Sequence, residues 1–311
     1  MNSRPTDQYF GIIEFGNKNF MLASIQTSIR LRNASILLEE VNGSFLGNRM
    51  ITLRNDQGSH NLCPLDTTTS MKLAEVFHLP ANSVFAVGGQ YYSKALESIF
   101  KGISLYTLEF TPAARYEWRC LRTFVDGYHP GSIERRSKRD GISEFDGLST
   151  LVFFKNQFFL YSRANCALRG CRQLQVATSR NLTSFKEFEL CRFSNATLED
   201  NIYFAHIYVI DRVLLAVVPA ALAQGNGIHL YISEDGFFFV HQRILKPCMV
   251  HNCRTYDVPI AGASFSQSFL RLGIVENATK RVPPHIQETD IFSWRTFDLR
   301  SLFTTLGISC P

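Results

Sequence analysis

Acidic side chains recur along this chain, each just ahead of an apolar run: Asp66 in CPLDTTT, Asp146 in EFDGLST, the pair Glu199-Asp200 in LEDNIYF, and Asp257 in TYDVPIA. Asp146 follows Asp66 by 80 positions, Asp200 follows Asp146 by 54, and Asp257 follows Asp200 by 57. Carboxylates that are distant in sequence but close in space repel one another, and one of them then keeps its proton to a higher pH. That is the condition for a general acid beside a base or nucleophile. Asp and Asn ahead of strands also bond their own backbone in turns, so each residue taken singly admits a purely structural role. The chemistry depends on whether the fold makes the set converge.

An internal repeat says how it could. FDGLSTLVFF, QFFLYSRAN and LQVATSRNLTSFKEFEL follow the same plan as EDNIYFAHIYVI, RVLLAVVPA and IHLYISEDGFFFVHQRIL. Each set reads as four short strands rich in aromatic and β-branched residues. Ser179, Asn181 and Phe185 match Ser233, Asp235 and Phe239, a shared Ser-x-Asn/Asp-x-x-x-Phe in which the Asn or Asp bonds its own turn and the Phe packs inward. A four-stranded unit recurring at about 50 residues is the signature of a β-propeller blade. Further strands are expected at YFGIIEF, NFMLASI and ASILLEEV, and at SVFAVGGQYY, ISLYTLEF and YEWRCLRTFV, with one or two helical turns in YYSKALESIFKG. The last block runs from Asp257 through SFLRLGIVE to IFSWRTFDL.

The expectation is an all-β chain, one five-bladed β-propeller over residues 1–311, its ring closed by N- and C-terminal strands sharing one blade. Five blades of about 55 residues fit the length, whereas six or seven do not. Blades of this kind point their first strands at a central channel, where Asp66, Asp146, Glu199 or Asp200, and Asp257 would meet. A one-residue change in strand phase exchanges Glu199 with Asp200.

The chain resembles the five-bladed propeller glycoside hydrolases, the superfamily of arabinanases and xylosidases, invertases and mannoside phosphorylases, over roughly Asp66 to Phe265. The resemblance lies in blade pattern more than in identity. It implies Asp66 as base or nucleophile, Asp146 as the residue orienting the acid, and Glu199 as general acid, with Asp200, Arg163, His206 and Asp257 contacting the sugar. Arabinanase-like members invert configuration, which calls for carboxylates about 6.5–9.5 Å apart. Two departures stand out: those families carry Pro directly after both aspartates, and this chain has Thr67 and Gly147. Without the Asp-Pro motifs, the same scaffold also suits a propeller that binds a glycan or protein partner without chemistry. Phosphorolysis or transfer, with Arg163, Arg172 and His206 holding an anion, is a further alternative. FDGLSTLVFFKNQFFLYSRAN also resembles a branch of such propellers found in algae, oomycetes and large viruses.

Composition narrows the rest. Apolar residues make up 45% and charged residues 19%, values of a globular protein with an ample core. The net charge of +5 gathers only at Arg135, Arg136, Lys138 and Arg139, a pattern that suits a solvated loop better than a nucleic-acid face. No nucleic acid, membrane or cofactor is expected as a partner, and the protein is expected to act as a monomer. MNSRPTDQYFGII lacks the basic start and apolar run of a signal peptide, which leans the compartment towards the cytoplasm. VLLAVVPAALA is too short to span a bilayer. Eight cysteines include two C-x4-C pairs, Cys166 with Cys171 and Cys248 with Cys253, looser than zinc-knuckle spacing and read here as free thiols. Five Asn-x-Ser/Thr sequons pull towards secretion, at Asn33, Asn42, Asn181, Asn195 and Asn277. Trp118 and Trp294 could stack on a sugar or pack in a blade. No phosphate-binding loop, His-Glu-x-x-His or Gly-x-Ser-x-Gly is present.

Overall fold

The computed structural model describes residues 10–15, 18–25, 34–41, 44–53, 59–94, 98–110, 116–125, 148–166, 171–247, 255–259, 264–266, 269–279 and 291–307. Strands dominate them. The first four strands, β1 (Phe10–Phe15), β2 (Lys18–Ile25), β3 (Ala34–Val41) and β4 (Ser44–Leu53), pair in order as an antiparallel meander. A second meander follows with β5 (Ser59–Pro64), β6 (Phe85–Lys94), β7 (Ser98–Phe110) and β8 (Tyr116–Val125), and helix α1 (Thr67–Phe77) lies between its first two strands. The two repeat copies form the third and fourth. One is β9 (Thr150–Phe154), β10 (Gln157–Cys166), β11 (Cys171–Ser179) and β12 (Glu189–Leu190). After the short crossing pieces β13 (Arg192–Phe193) and β14 (Asn201–Ile202) comes the other, β15 (His206–Ile210), β16 (Val213–Leu222), β17 (Gly225–Ser233) and β18 (Phe238–Pro247). The last sheet has β19 (Thr255–Pro259) and β20 (Ser264–Ser266) on one side of β21 (Phe269–Thr279) and β22 (Ile291–Asp298) on the other, and ends in α2 (Arg300–Leu306).

Alternation along the strands decides how the sheets stack. Leu214, Ala216 and Val218 of β16 join Val152, Phe159, Tyr161 and Phe239 in one core, while Val213, Leu215 and Val217 join Leu270, Leu272, Ile274 and Phe303 in the next. The third sheet does likewise, turning Leu151, Phe158 and Leu160 towards Phe85, Val87, Ile103 and Leu105 of the second. Both faces of a middle sheet are therefore dry. Each fully buried Leu, Val or Phe contributes about 1.5–3 kcal/mol, so face-to-face stacking is the dominant stabilising term.

Two expectations need correction. In YYSKALESIFKG, expected to hold one or two helical turns, Tyr91 to Lys94 instead pair with Ser98 to Lys101 as parts of β6 and β7. The stretch after Asp66, expected as a strand, is α1, capped by the Asp66 carboxylate and closed at His78 in the left-handed region (φ 53). Among the described residues β1–β4 pair as a meander of their own and share no ladder with the last sheet. No helix among the described residues is long and apolar enough to cross a membrane.

Candidate functional site

The inner edges of three sheets meet at one level. The β9–β10 turn at Lys155-Asn156 (φ 48 and 60) matches the β15–β16 turn at Asp211 (φ 51), so Thr150 and His206 hold equivalent positions, 56 residues apart. Cys63 of β5 stands between them: its Sγ lies 4.0 Å from His206 Nδ1, and Thr150 hydrogen-bonds its thiol. All three are buried, at 1%, 4% and 2% exposure, so side chains fill the space between the strands at this level. A thiol beside an imidazole invites comparison with a nucleophile. Burial pushes the Cys63 thiol up to about 12, however, with the nearby Asp66 carboxylate adding to the shift, and a thiol held neutral does not attack.

Asp66 lies three residues beyond Cys63. Its carboxylate accepts the Thr69 amide at 2.9 Å and the Thr69 hydroxyl at 2.6 Å, the geometry of a helix N-cap. The Thr69 oxygen in turn accepts the Phe153 amide at 3.0 Å, which pins α1 to the far end of β9. Burial raises the Asp66 pKa, opposed by the hydrogen bonds from Thr69 and Thr68.

Asp200 lies six residues ahead of His206, at the other end of the same parallel set of strands. Its Oδ2 accepts Thr197 N at 2.8 Å and Thr197 Oγ1 at 3.1 Å, and its Oδ1 accepts Ala223 N at 2.9 Å. Gln173 Nε2 donates to its carbonyl at 2.8 Å. Asp200 is buried and Glu199 is exposed. Asp66 follows β5 and opens α1, whereas Glu199 and Asp200 precede β14 and β15.

Tyr203–Ala205 separate β14 from β15, with Phe204 and Ala205 buried. Tyr203 N donates to Pro219 O at 3.2 Å, but Pro219 has no N–H to return. Arg163 Nε supplies the missing donor to the Tyr203 carbonyl at 3.0 Å, and the Arg172 guanidinium lies 5.3 Å from the Tyr203 ring centroid. Arg163 and Arg172 are therefore brought together around Tyr203, with Glu199 and Asp200 a few residues upstream. His206 lies beside Cys63 and packs edge-on against Phe204. Asp146 lies outside the described residues, as do the side chains of Asp257 and Trp294; Asp257 falls in β19 at a register break between Tyr256 and Val258. Trp118 is fully buried and packs in the core. Cys63, Cys120 and Cys191 are free thiols. Among the described residues no three His, Cys, Asp or Glu side chains gather to hold a metal ion.

Sequence reasoning passed over Cys63, Thr150 and Tyr203. The signal for Thr150 was the two-residue turn: laid on Lys155-Asn156 and Asp211-Arg212, the copies are offset by 56, not by the 54 that relates Ser179 to Ser233. Turn alignment takes Thr150 to His206 and leaves Asp146 unmatched to Asp200.

No protein-family model matches the sequence, and no curated protein matches it. Solved structures do resemble it. The α-L-arabinofuranosidase of Podospora anserina, solved with cellotriose, has a TM-score of 0.57 at 10% identity, over 95% of this chain and 90% of its own. The endo-arabinase of Bacteroides thetaiotaomicron has a TM-score of 0.53 at 9% identity, over 92% and 98%. An N-acetylgalactosamine deacetylase from F. plautii, solved with blood group B trisaccharide, has a TM-score of 0.50 at 10% identity, over 95% and 90%. At such identities the likeness is one of fold, not of chemistry. The structures this chain resembles are chiefly glycoside hydrolases of the five-bladed β-propeller superfamily, and theirs is the fold it shares.

Proposed function

We propose that the protein is a carbohydrate-active, glycosidase-like protein, a single five-bladed β-propeller acting as a monomer, which seats a glycan at the end where β9 and β15 begin. The observation that carries this is the convergence of β5, β9 and β15 at Cys63, Thr150 and His206, in a fold shared with carbohydrate enzymes. Tyr203 with Arg172 offers an aromatic face and hydrogen-bond donors at that end, Glu199 is exposed beside it, and Asp146 leads into β9 by sequence. Recognition without turnover is favoured by the placement of the acids: Asp66 is spent on a helix cap at the opposite end, and both Asp200 oxygens are engaged in the backbone.

Hydrolysis by Asp66, Asp146 and Glu199 is the second reading. One observation favours it: the solved structures whose fold it resembles include an α-L-arabinofuranosidase and an endo-arabinase. One experiment separates the two. The wild type and the Asp66→Asn, Asp146→Asn and Glu199→Gln variants are tested for glycan binding on an array, and for turnover of aryl pentosides, fructosides and mannosides with and without phosphate. Binding without turnover, weakened by Tyr203→Ala, supports recognition. Turnover lost in all three acid variants supports hydrolysis, and turnover that needs phosphate supports phosphorolysis. If neither binding nor turnover is found, the carbohydrate assignment falls.

A further inference from the structure

The segment that carries Glu199 and Asp200 is strapped across β17 and β18. Arg192 N donates to Phe237 O at 2.9 Å, and Ser194 N donates to Phe239 O at 3.0 Å. His241 N donates to Ser194 Oγ at 2.9 Å, and Tyr231 OH donates to Asn195 Oδ1 at 2.9 Å. Beneath these bonds sits a pair of imidazoles: His229 Nδ1 and His241 Nε2 are 3.2 Å apart, with the Tyr231 ring packed against both. His229 is buried, and a hydrogen bond with the Gly225 backbone partly opposes the lowering of its pKa.

We propose that the His229–His241 pair is an acid-sensitive latch that holds the strap of residues 192–200 closed at neutral pH and releases it on acidification. At 3.2 Å one ring nitrogen donates and the other accepts, so the contact needs at least one neutral imidazole. When both rings are protonated, two N–H groups face each other and two cations meet in a buried site. Relief comes by moving His241, the half-buried partner, whose backbone holds Ser194 and whose ring borders Tyr231. Few other charges bear on the pair. Asp200 reaches Tyr231 from the strap, and Arg243, the next cation along β18, turns away to the Asp298 carbonyl. The ordinary compensation, a carboxylate beside the imidazoles, is not among the groups acting on either ring.

The sign follows from burial. His229 is held down to about 4, by burial first and by His241 second, and burial also lowers His241. A histidine whose folded pKa is depressed stabilises the closed form above its ordinary pKa of 6.5, and that stability is lost as pH falls from 6.5 towards 4. Between pH 7.5 and 5, opening of the strap is expected to rise about tenfold. The latch does not rest on the glycan assignment.

Hydrogen exchange of the full chain tests it. After correction for intrinsic rates, the amides of Arg192, Ser194 and His241 should lose about tenfold protection from pH 7.5 to 5 in the wild type, and not in His229→Gln. Unchanged protection in the wild type overturns the latch, as does an equal loss in His229→Gln. If that variant fails to fold, imidazole NMR titration of the wild type decides. Ring titration and strap opening should share a midpoint, and separate midpoints overturn the proposal.

Discussion

The Arg163–Tyr203–Pro219 contact makes a prediction that runs against the habit of reading a buried arginine as a ligand-binding group. Tyr203 stands opposite Pro219 in the β14–β16 register, where an ordinary residue would exchange two hydrogen bonds, and Pro219 can complete only one. Arg163 Nε fills the gap at 3.0 Å. Replacing Arg163 with Met removes that donor from the Tyr203 carbonyl, at a cost of about 1–3 kcal/mol beyond the other contacts the guanidinium makes. Replacing Pro219 with Ala in the wild type restores an N–H aimed at an oxygen already bonded, and it loosens the unfolded chain, so it costs about 0.4–1 kcal/mol. Combined, the two changes should partly cancel. The new amide takes the place of the lost Arg163 donor at the Tyr203 carbonyl, and the double variant should be about 1 kcal/mol more stable than the sum of the single effects predicts. Urea unfolding followed by the fluorescence of buried Trp118 measures all four corners of the cycle. Additivity within about 0.5 kcal/mol would show that Arg163 is not replacing the proline's missing donor, and the reasoning fails.

Asp66→Asn keeps the cap and should leave stability within about 0.5 kcal/mol at neutral pH, whereas Asp66→Ala should cost about 1 kcal/mol by urea unfolding. Burial raises the Asp66 pKa, so the folded state holds that proton more tightly than the unfolded one. Relative to Asp66→Asn, the wild type should therefore gain stability as pH falls from 7 towards 4, and a loss over that range contradicts the assignment. Gly236 sits at φ +85, and a Cβ there would lie 2.5 Å from Phe159 Cε1, so Gly236→Ala should cost about 3 kcal/mol or more. A thermal or urea measurement under about 1 kcal/mol refutes that account.

Much of the architecture was legible because period-2 alternation and turn chemistry are local. The Ser-x-Asn/Asp turns are built as their spelling implies: Ser179 Oγ accepts Leu182 N at 2.9 Å, and Ser233 Oγ accepts Gly236 N at 2.8 Å. Phe239 is buried against Phe193, and Phe185 packs on Phe124 of the neighbouring sheet. What failed was non-local. YYSKALESIF has helical propensity, but pairing with β7 overrides it, as tertiary context commonly does. TTTS has none to speak of, yet α1 forms there because Asp66 caps it and because Leu73 and Ala74 reach the core between two sheets. The two repeat copies are offset differently in their two halves for a geometric reason. The β10–β11 connection is four residues long and the β16–β17 connection two, which shifts the copies from an offset of 56 to one of 54 partway through. Spacing measured on the later hairpin therefore paired Asp146 with Asp200, although the strands themselves align Thr150 with His206.

Stacking also limits where any chemistry can sit. Among the described residues both faces of the middle sheets are buried and Cys63, Thr150 and His206 pack against one another, which leaves the two ends of β9 and β15. One end is taken up by two-residue turns and by α1, whose cap consumes Asp66 and Thr69. The other is where the chain enters β9 and β15 through its longer connections, and it holds exposed Glu199, Tyr203 and Arg172. Loops at strand ends cost little stability to vary, whereas any change on a stacked face forfeits burial. A ligand-binding set is thus sought at the start of β9 and β15. Replacing Tyr203 or Glu199 should alter binding with little effect on unfolding, and replacing His206 or Cys63 should do the reverse.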